Sequence, residues 1–274
     1  MTRLPKRYFK SISDYVKTYY TAYGAQRAQK LYDAVKTVTK DFTRTDPVYV
    51  RIGEDGEPEI HCTMTKADGS SYFANMDLGN ATLYVHNGGI LTSIKEMMNN
   101  ITVGKISIDL LSQPSESVFA FSNLKNCKSI TFGEGTKMAN LSGNPIFANY
   151  LGASEDNLEE IGWFDMSATT GLFYAFYGLY KLKEIPAFDF SNVTDCHETS
   201  FMCYGLTAFH ATGMKCSFNL RYTKLTHDAI LEVFNNLGEV DKTAGITLTL
   251  GSGKLALMSD EEKAIATGKG WVLA

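Results

Sequence analysis

Apolar residues recur along the chain in three different rhythms. Over residues 12–40 the rhythm is helical: Ile12, Tyr15, Val16, Tyr19, Tyr20 and Tyr23, then Ala28, Leu31, Tyr32, Val35 and Val38 beyond Gly24. Ser11 followed by Asp14 gives a start resembling a capping box, with Asp in place of Glu or Gln. The pattern predicts a helical hairpin or bent helix. Tyrosine combines an apolar body with a polar tip, so the stripe suits packing on the rest of the chain or on a partner subunit. Over 47–76 the rhythm shortens to that of strands. "VYVRI", "EIHCTMT" and "SSYFANM" are separated by turn signals at Asp55-Gly56 and Asp68-Gly69, which predicts a small antiparallel meander. His61, beside Cys62, reads there as a cross-strand neighbour.

From residue 100 onward the apolar positions repeat. "KISIDL", "KSITF", "LEEIGWF", "LKEIPAF" and "LTAFHA" align on Ile106, Ile130, Ile161, Ile185 and Phe209, at intervals of 24, 31, 24 and 24. Leu158, Leu182 and Leu206 keep the same step, as do Phe164 and Phe188. "FDMS" recurs as "FDFS", "AFSNL" as "AFYGL", and "MCYGL" is a looser copy. One insertion of seven residues near "GASEDN" accounts for the long interval. A period in the twenties with a strand-like apolar pair in each copy indicates a leucine-rich-repeat solenoid. One copy cannot bury its own inner face, and stacked copies build a parallel sheet over a shared core. Alternation puts Ile106 and Ile108 inside, with Ser107 and Asp109 outside.

The C-terminal residues return to longer elements. Thr226 is placed to cap a helix whose Ile230, Leu231, Phe234 and Leu237 share one face, with Gly238 as the residue beyond its end. A strand over 246–250, a capping box from Ser259 to Glu262, a helix closed by Gly268 and a last strand at Trp271–Leu273 follow. The expected architecture is therefore α/β. It comprises a helical segment over 1–45 for anchoring or assembly, a β meander over 46–80, a leucine-rich-repeat solenoid over 81–224 and a C-terminal cap over 225–274.

"FDFSNVTD", followed by the Met-Cys-Tyr-Gly-Leu block, resembles BspA-like leucine-rich repeats, in which short Met-Phe-x-x-Cys/Leu blocks precede each strand. The resemblance covers roughly 100–220. The helix–strand–helix–strand ending over 225–274 is similar to the C-termini of leucine-rich-repeat tail and baseplate proteins of phages. The resemblance implies a virion component without implying a chemical activity.

Composition narrows the chemistry. Apolar residues make up 44% of the 274, enough for a sizeable core. The net charge of -4 lacks the basic excess of a nucleic-acid binder. No apolar run approaches the roughly 20 residues that span a bilayer, and no signal-peptide pattern precedes the first helix. The chain is thus expected to be made in a cytoplasm, without membrane insertion. Cys62, Cys127, Cys196, Cys203 and Cys216 are odd in number and widely spaced, so reduced, mostly buried thiols are expected. Cys196, His197, Cys203, His210 and Cys216 are too far apart for the usual paired zinc ligands, and core packing is the reading preferred for them. "LGSGKLA" departs from a phosphate-binding loop, with Leu248 where Gly is needed and Leu255 where Ser or Thr is needed, and reads as a turn. Glu159, Glu160 and Asp165 crowd one copy, and Glu160 falls at an outward, solvated position.

No nucleophile, metal or dinucleotide motif appears, so neither catalysis nor a cofactor is expected. Candidate binding residues are Tyr174, Tyr177, Tyr180 and Tyr204, with Glu160, Glu184 and His210 at or beside outward strand positions. Tyrosines exposed beside the sheet stack on sugar rings or contact a protein. Tyr15, Tyr19, Tyr20 and Tyr23 are the assembly candidates. The leading expectation is a phage tail-tip, baseplate or fibre protein located in the virion. Its N-terminal segment would join other virion proteins or sister subunits in a homo-oligomer, and its solenoid would recognise a host surface glycan or protein. A bacterial surface adhesin with the same repeats is the alternative, and a glycan-acting enzyme the third reading.

Overall fold

The computed structural model describes residues 26, 29–34, 36, 48–138, 145–152, 154, 157–196, 198–200 and 202–274. Helical residues 29–34 (α1) place Leu31 and Ala34 in the main apolar cluster and leave Tyr32 exposed. At least this part of the N-terminal stripe therefore packs on the chain itself. Tyr15, Tyr19, Tyr20 and Tyr23 lie outside the described residues.

β1 (Val48–Ile52) and β2 (Pro58–Thr63) form an antiparallel hairpin with Tyr49 opposite His61. β2 then starts a parallel series with β3 (Thr82–His86), β4 (Lys105–Ile108), β5 (Ser129–Phe132) and β6 (Glu160–Ile161). The register aligns Ile60, Leu83, Ile106, Ile130 and Ile161, all turned into the core. The expected third strand of the meander, "SSYFANM", is a run of turns instead. Tyr72 and Phe73 in it are buried, and Phe73 N–H donates to the Met97 carbonyl one coil further on at 2.9 Å. The alternation that suggested a strand comes from a coil whose apolar residues point inward at its back.

Backbone bonds link the backs of successive coils as well as their strands. Met98 N donates to Ala120 O, Phe121 N to Ile146 O, Phe147 N to Ala175 O and Phe176 N to Thr199 O, at 2.8 to 3.1 Å. Inside this ladder Phe121, Phe147 and Phe176 stack face to face, with centroids 5.4 and 5.8 Å apart. Phe132, Phe164 and Phe188 form a second row, with 4.9 Å between successive rings. Phe121 precedes Ile130 by nine residues and Phe176 precedes Ile185 by nine, whereas Phe147 precedes Ile161 by fourteen. Most of the seven-residue insertion thus lies between the back of that coil and its strand, where "GASEDN" falls.

Five of the back segments also carry left-handed residues four apart. Ser71 and Asn75, Glu96 and Asn100, Phe119 and Asn123, Tyr174 and Gly178, and Glu198 and Met202 all have φ between 48° and 71°. Asparagine and glycine tolerate this conformation, and the others hold it at a cost of about 1–2 kcal/mol each. At Gly178 a Cβ would also lie 2.2 Å from the Asn149 carbonyl oxygen, so no side chain fits there.

The parallel series was expected to run as one sheet, but it divides. β7 (Glu184–Ile185) and β8 (Ala208–Phe209) form a separate two-stranded sheet, joined to β6 by the bond from Lys183 N to Glu159 O at 3.0 Å. The cause is Pro186. The residue after the inward apolar one normally donates across the gap, as Gly162 N does to Ile130 O and His210 N to Ile185 O. Proline has no N–H to donate.

At the C-terminal end β9 (Phe218–Asn219), β10 (Thr247–Thr249) and β11 (Val272–Leu273) form a parallel sheet in the order β11-β10-β9. α2 (His227–Asn236) is capped by the Thr226 side chain and buries Ala229, Ile230, Val233 and Phe234. α4 (Asp260–Gly268) starts with the full Ser259–Glu262 capping box. Gly238 does not end α2 in the left-handed form. It is required because a Cβ would sit 2.7 Å from Lys215 and 2.9 Å from the Gly213 oxygen. Nor does Gly268 close α4 by positive φ; Gly270 carries it, at 96°. "LGSGKLA" is more than a turn, since Ser252–Leu255 form a short helix (α3). Lys269 Nζ donates to the carbonyls of Phe234, Asn235 and Leu237, and Trp271 Nε1 donates to Gly238 O, so the last residues tie down the end of α2.

Two outcomes follow for stability. Phe147→Ala should lower unfolding free energy by about 3–5 kcal/mol, because it opens a cavity in the middle of the stacked row; urea denaturation measures this. Lys269→Met keeps the stem and removes the charged donor, so it should cost about 1.5–3 kcal/mol in the same assay.

Candidate functional site

The coil backs turn aromatic side chains outward on one flank. The left-handed residue that opens the back segment is Phe119, Tyr174 or Glu198 in three of the coils, and these side chains lie on this flank with Tyr150 and Tyr177. Tyr150 packs edge-on to Phe119 at 6.2 Å and stacks on Tyr177 at 5.4 Å. Tyr177 meets Tyr174 edge-on at 4.9 Å. The Tyr174 hydroxyl bonds to Glu198, and that bond is the main cause of its pKa being pushed up to about 12. A second row runs Tyr180–Tyr204–Tyr222, with centroids 5.5 and 6.3 Å apart and the Arg221 guanidinium 5.8 Å from the Tyr222 centroid. Tyr174, Tyr177 and Tyr180 are half-buried, while Tyr150, Tyr204 and Tyr222 are 49%, 41% and 52% exposed, high values for rings this size. All four candidate tyrosines therefore reach the surface, two in each row. Tyr150, Tyr222 and the exposed Trp163 were missed. Tyr150 precedes Tyr177 by 27 residues across the inserted coil, which moved it out of the simple period.

An open groove of about 320 Å³ lies where the last coil back meets the C-terminal sheet, with Tyr222 in its lining. Glu198, Ser200, Ser217, Asn219, Tyr222 and Thr249 are among its lining residues.

The remaining candidates sit elsewhere. Glu160 and Glu184 are exposed on the outer face of β6 and β7. The structure brings Glu184 and His210 together at 3.9 Å, and His210 Nδ1 also lies 2.7 Å from Glu232. Glu159 is held below the usual carboxylate range by its hydrogen bond and charge pairing with Lys183. These are surface pairs of small energetic worth.

Cys196 and Cys216 are bonded to each other, with Cα atoms 5.9 Å apart, which corrects the expectation of five reduced thiols. Coil stacking places residues 20 apart in sequence side by side, a closeness that spacing alone does not reveal. Cys62, Cys127 and Cys203 are buried and take no part in that disulfide. His197 lies outside the described residues, and among those described no three potential ligands converge on a metal position.

On the outer face of the first strands His61 is sandwiched between Tyr49 and Tyr84, each 4.3 Å away and nearly parallel. Its Nδ1 is 3.0 Å from His86 Nε2 and its Nε2 3.4 Å from Glu59, which also pairs with Arg51. Burial is the largest influence on His61 and holds its pKa below the ordinary imidazole value. Arg51 and His86 act in the same direction, and Glu59 opposes them.

No protein-family model, curated protein or solved structure matches this chain.

The sign of the His61 effect is fixed. The folded chain binds this proton less readily than the unfolded chain. The stabilisation is complete above the ordinary histidine pKa of about 6.5 and is lost as pH falls through the lower folded value. His227 works in the opposite sense, raised by Asp228 and then Glu262. Its contribution is present on the acid side and fades as pH rises through its folded pKa. His61→Phe, which keeps a ring in the stack, should flatten the fall in melting temperature between about pH 7 and 5; an unchanged slope would assign the acid loss to other groups.

Proposed function

We propose that this chain is a non-catalytic recognition protein of the leucine-rich-repeat solenoid type. Its tyrosine-lined flank contacts a glycan or protein on a host surface. The observation that carries the reading is the pair of tyrosine rows that reach the surface, with a groove that touches Tyr222 of one row and Glu198, the partner of Tyr174 in the other. Soluble proteins seldom leave this much aromatic surface open unless it binds something, and tyrosine supplies stacking area and a hydroxyl with little conformational entropy to lose. The resemblance of the repeats and of the C-terminal ending supports a position in the tail tip, baseplate or fibre of a phage. The N-terminal segment, including Tyr15, Tyr19, Tyr20 and Tyr23, then serves assembly with other virion proteins or with sister copies.

The Cys196–Cys216 disulfide favours a working place outside a reducing cytoplasm. That suits a virion surface, and equally the second reading, a bacterial surface adhesin using the same flank.

Two experiments test the proposal. Mass spectrometry of purified tailed particles should find the chain as a stoichiometric component; its presence in a bacterial surface fraction and absence from particles would favour the adhesin. Replacing Tyr150, Tyr177 and Tyr204 together by Ser should reduce adsorption to intact cells of the bacterium that carries the gene by at least about tenfold, or 1.4 kcal/mol, while circular dichroism and a cooperative melt show the chain still folded at the assay temperature. Undiminished adsorption would remove the tyrosine rows from the recognition surface.

A further inference from the structure

We propose that the groove between the last coil and the C-terminal sheet is the primary subsite for a neutral sugar unit, and that the tyrosine rows hold the neighbouring units of the same glycan. This deepens the recognition reading above and rests on it.

The groove has the make-up of a saccharide site. Its volume of about 320 Å³ lies at the small end of ligand pockets, which run about 300–1,000 Å³. Sugars present hydroxyls that both donate and accept, together with flat C–H faces, so their sites mix donors and acceptors beside an aromatic ring. Tyr222 supplies the ring. Ser217 Oγ accepts from Thr247 N at 2.9 Å, so its proton is available to donate. Asn219 Oδ1 accepts from Arg221 N, and its amide nitrogen has no protein partner among the described residues. Thr249 Oγ1 likewise has none. Glu198 brings a carboxylate that already receives the Tyr174 hydroxyl.

Charge narrows the class of sugar. Among the described residues the lining contains the Glu198 carboxylate and no Lys, Arg or His. An anionic sugar or a phosphate would enter unpaired beside a negative group, a costly placement. Cys196 and Phe218 also line the groove and give apolar contact for the C–H face of a sugar ring. Neutral hexose or N-acetylhexosamine units bring no unpaired charge.

The position also explains how a glycan longer than one unit would lie. Glu198 touches both the groove and Tyr174, which leads to Tyr177 and Tyr150; Tyr222 leads to Tyr204 and Tyr180.

The test uses the full chain and a panel of neutral oligosaccharides of glucose, galactose, mannose and N-acetylglucosamine, with sialyllactose as the charged counterpart of lactose. Saturation-transfer NMR and calorimetry read the binding. At least one neutral member should bind with Kd of about 1 mM or tighter, and sialyllactose should bind more weakly than lactose. Thr249→Val preserves the shape and β-branching while removing the hydroxyl, and Asn219→Asp keeps the acceptor for Arg221 N while removing the amide donor. Each should weaken binding about tenfold with an unchanged melting curve. If a sugar binds and these variants leave its affinity intact while Tyr150→Ser and Tyr177→Ser abolish it, the groove inference fails and the tyrosine-flank reading stands. Stronger binding of sialyllactose, or no binding of any neutral member at about 10 mM, overturns the inference. Cell adsorption lost with the tyrosine variants would still support the wider reading.

Discussion

Everything in this molecule depends on one constraint: no coil can satisfy its own backbone or bury its own inner face. A strand of two residues, such as Glu184–Ile185, has no independent stability. It persists because the coils on either side accept and donate along both its strand and its back, and because a ring or an aliphatic chain from each coil lies against the next. The Phe121–Phe147–Phe176 row shows the economy of the arrangement, since three residues from three coils form one continuous packed column. Stability in such a stack is a sum of neighbour-to-neighbour terms. The ends then need covers. α1 and the antiparallel β1 lie at one end, and α2 to α4 with the β9–β11 sheet lie at the other.

The same stacking decides what is displayed. A residue at a given point in the coil recurs directly above its counterpart in the next coil, so one left-handed backbone position repeated in several coils keeps its side chains on one flank. Phe119, Tyr174 and Glu198 occupy that position, and their unfavourable φ is sustained by the ladder of bonds around them. The aromatic rows are thus a product of the fold's period. The groove beside them exists because the period ends there: the C-terminal sheet does not continue the coil backs, and the mismatch leaves a hollow.

Much of this was legible in the apolar pattern. The interval from Ile106 through Phe209 located the inward strand positions, Thr226 and Ser259 located helix starts, and the tyrosines near 174–180 stood out as candidates for surface contact, though the pattern alone did not separate them from core residues. Three things were hidden. The first coils, around Ile60 and Leu83, share the strand register but lack the sequence blocks of the later ones, and the back at Tyr72 and Phe73 alternates like a strand and so reads as part of a meander. The division of the sheet depended on one missing N–H at Pro186, which is plain only once the register is known. The disulfide and the groove join residues from the last coil and the C-terminal module, which no periodicity relates.

The most direct measurement is hydrogen–deuterium exchange of the full chain with and without the purified surface polysaccharide of the bacterium that carries it. The account predicts slowed exchange confined to the flank, in peptides covering residues 145–152, 172–182 and 198–222, with the outer strand face at 58–63, 82–86 and 105–108 unchanged. Protection centred on that strand face, with the tyrosine flank exchanging as in the free protein, would contradict it.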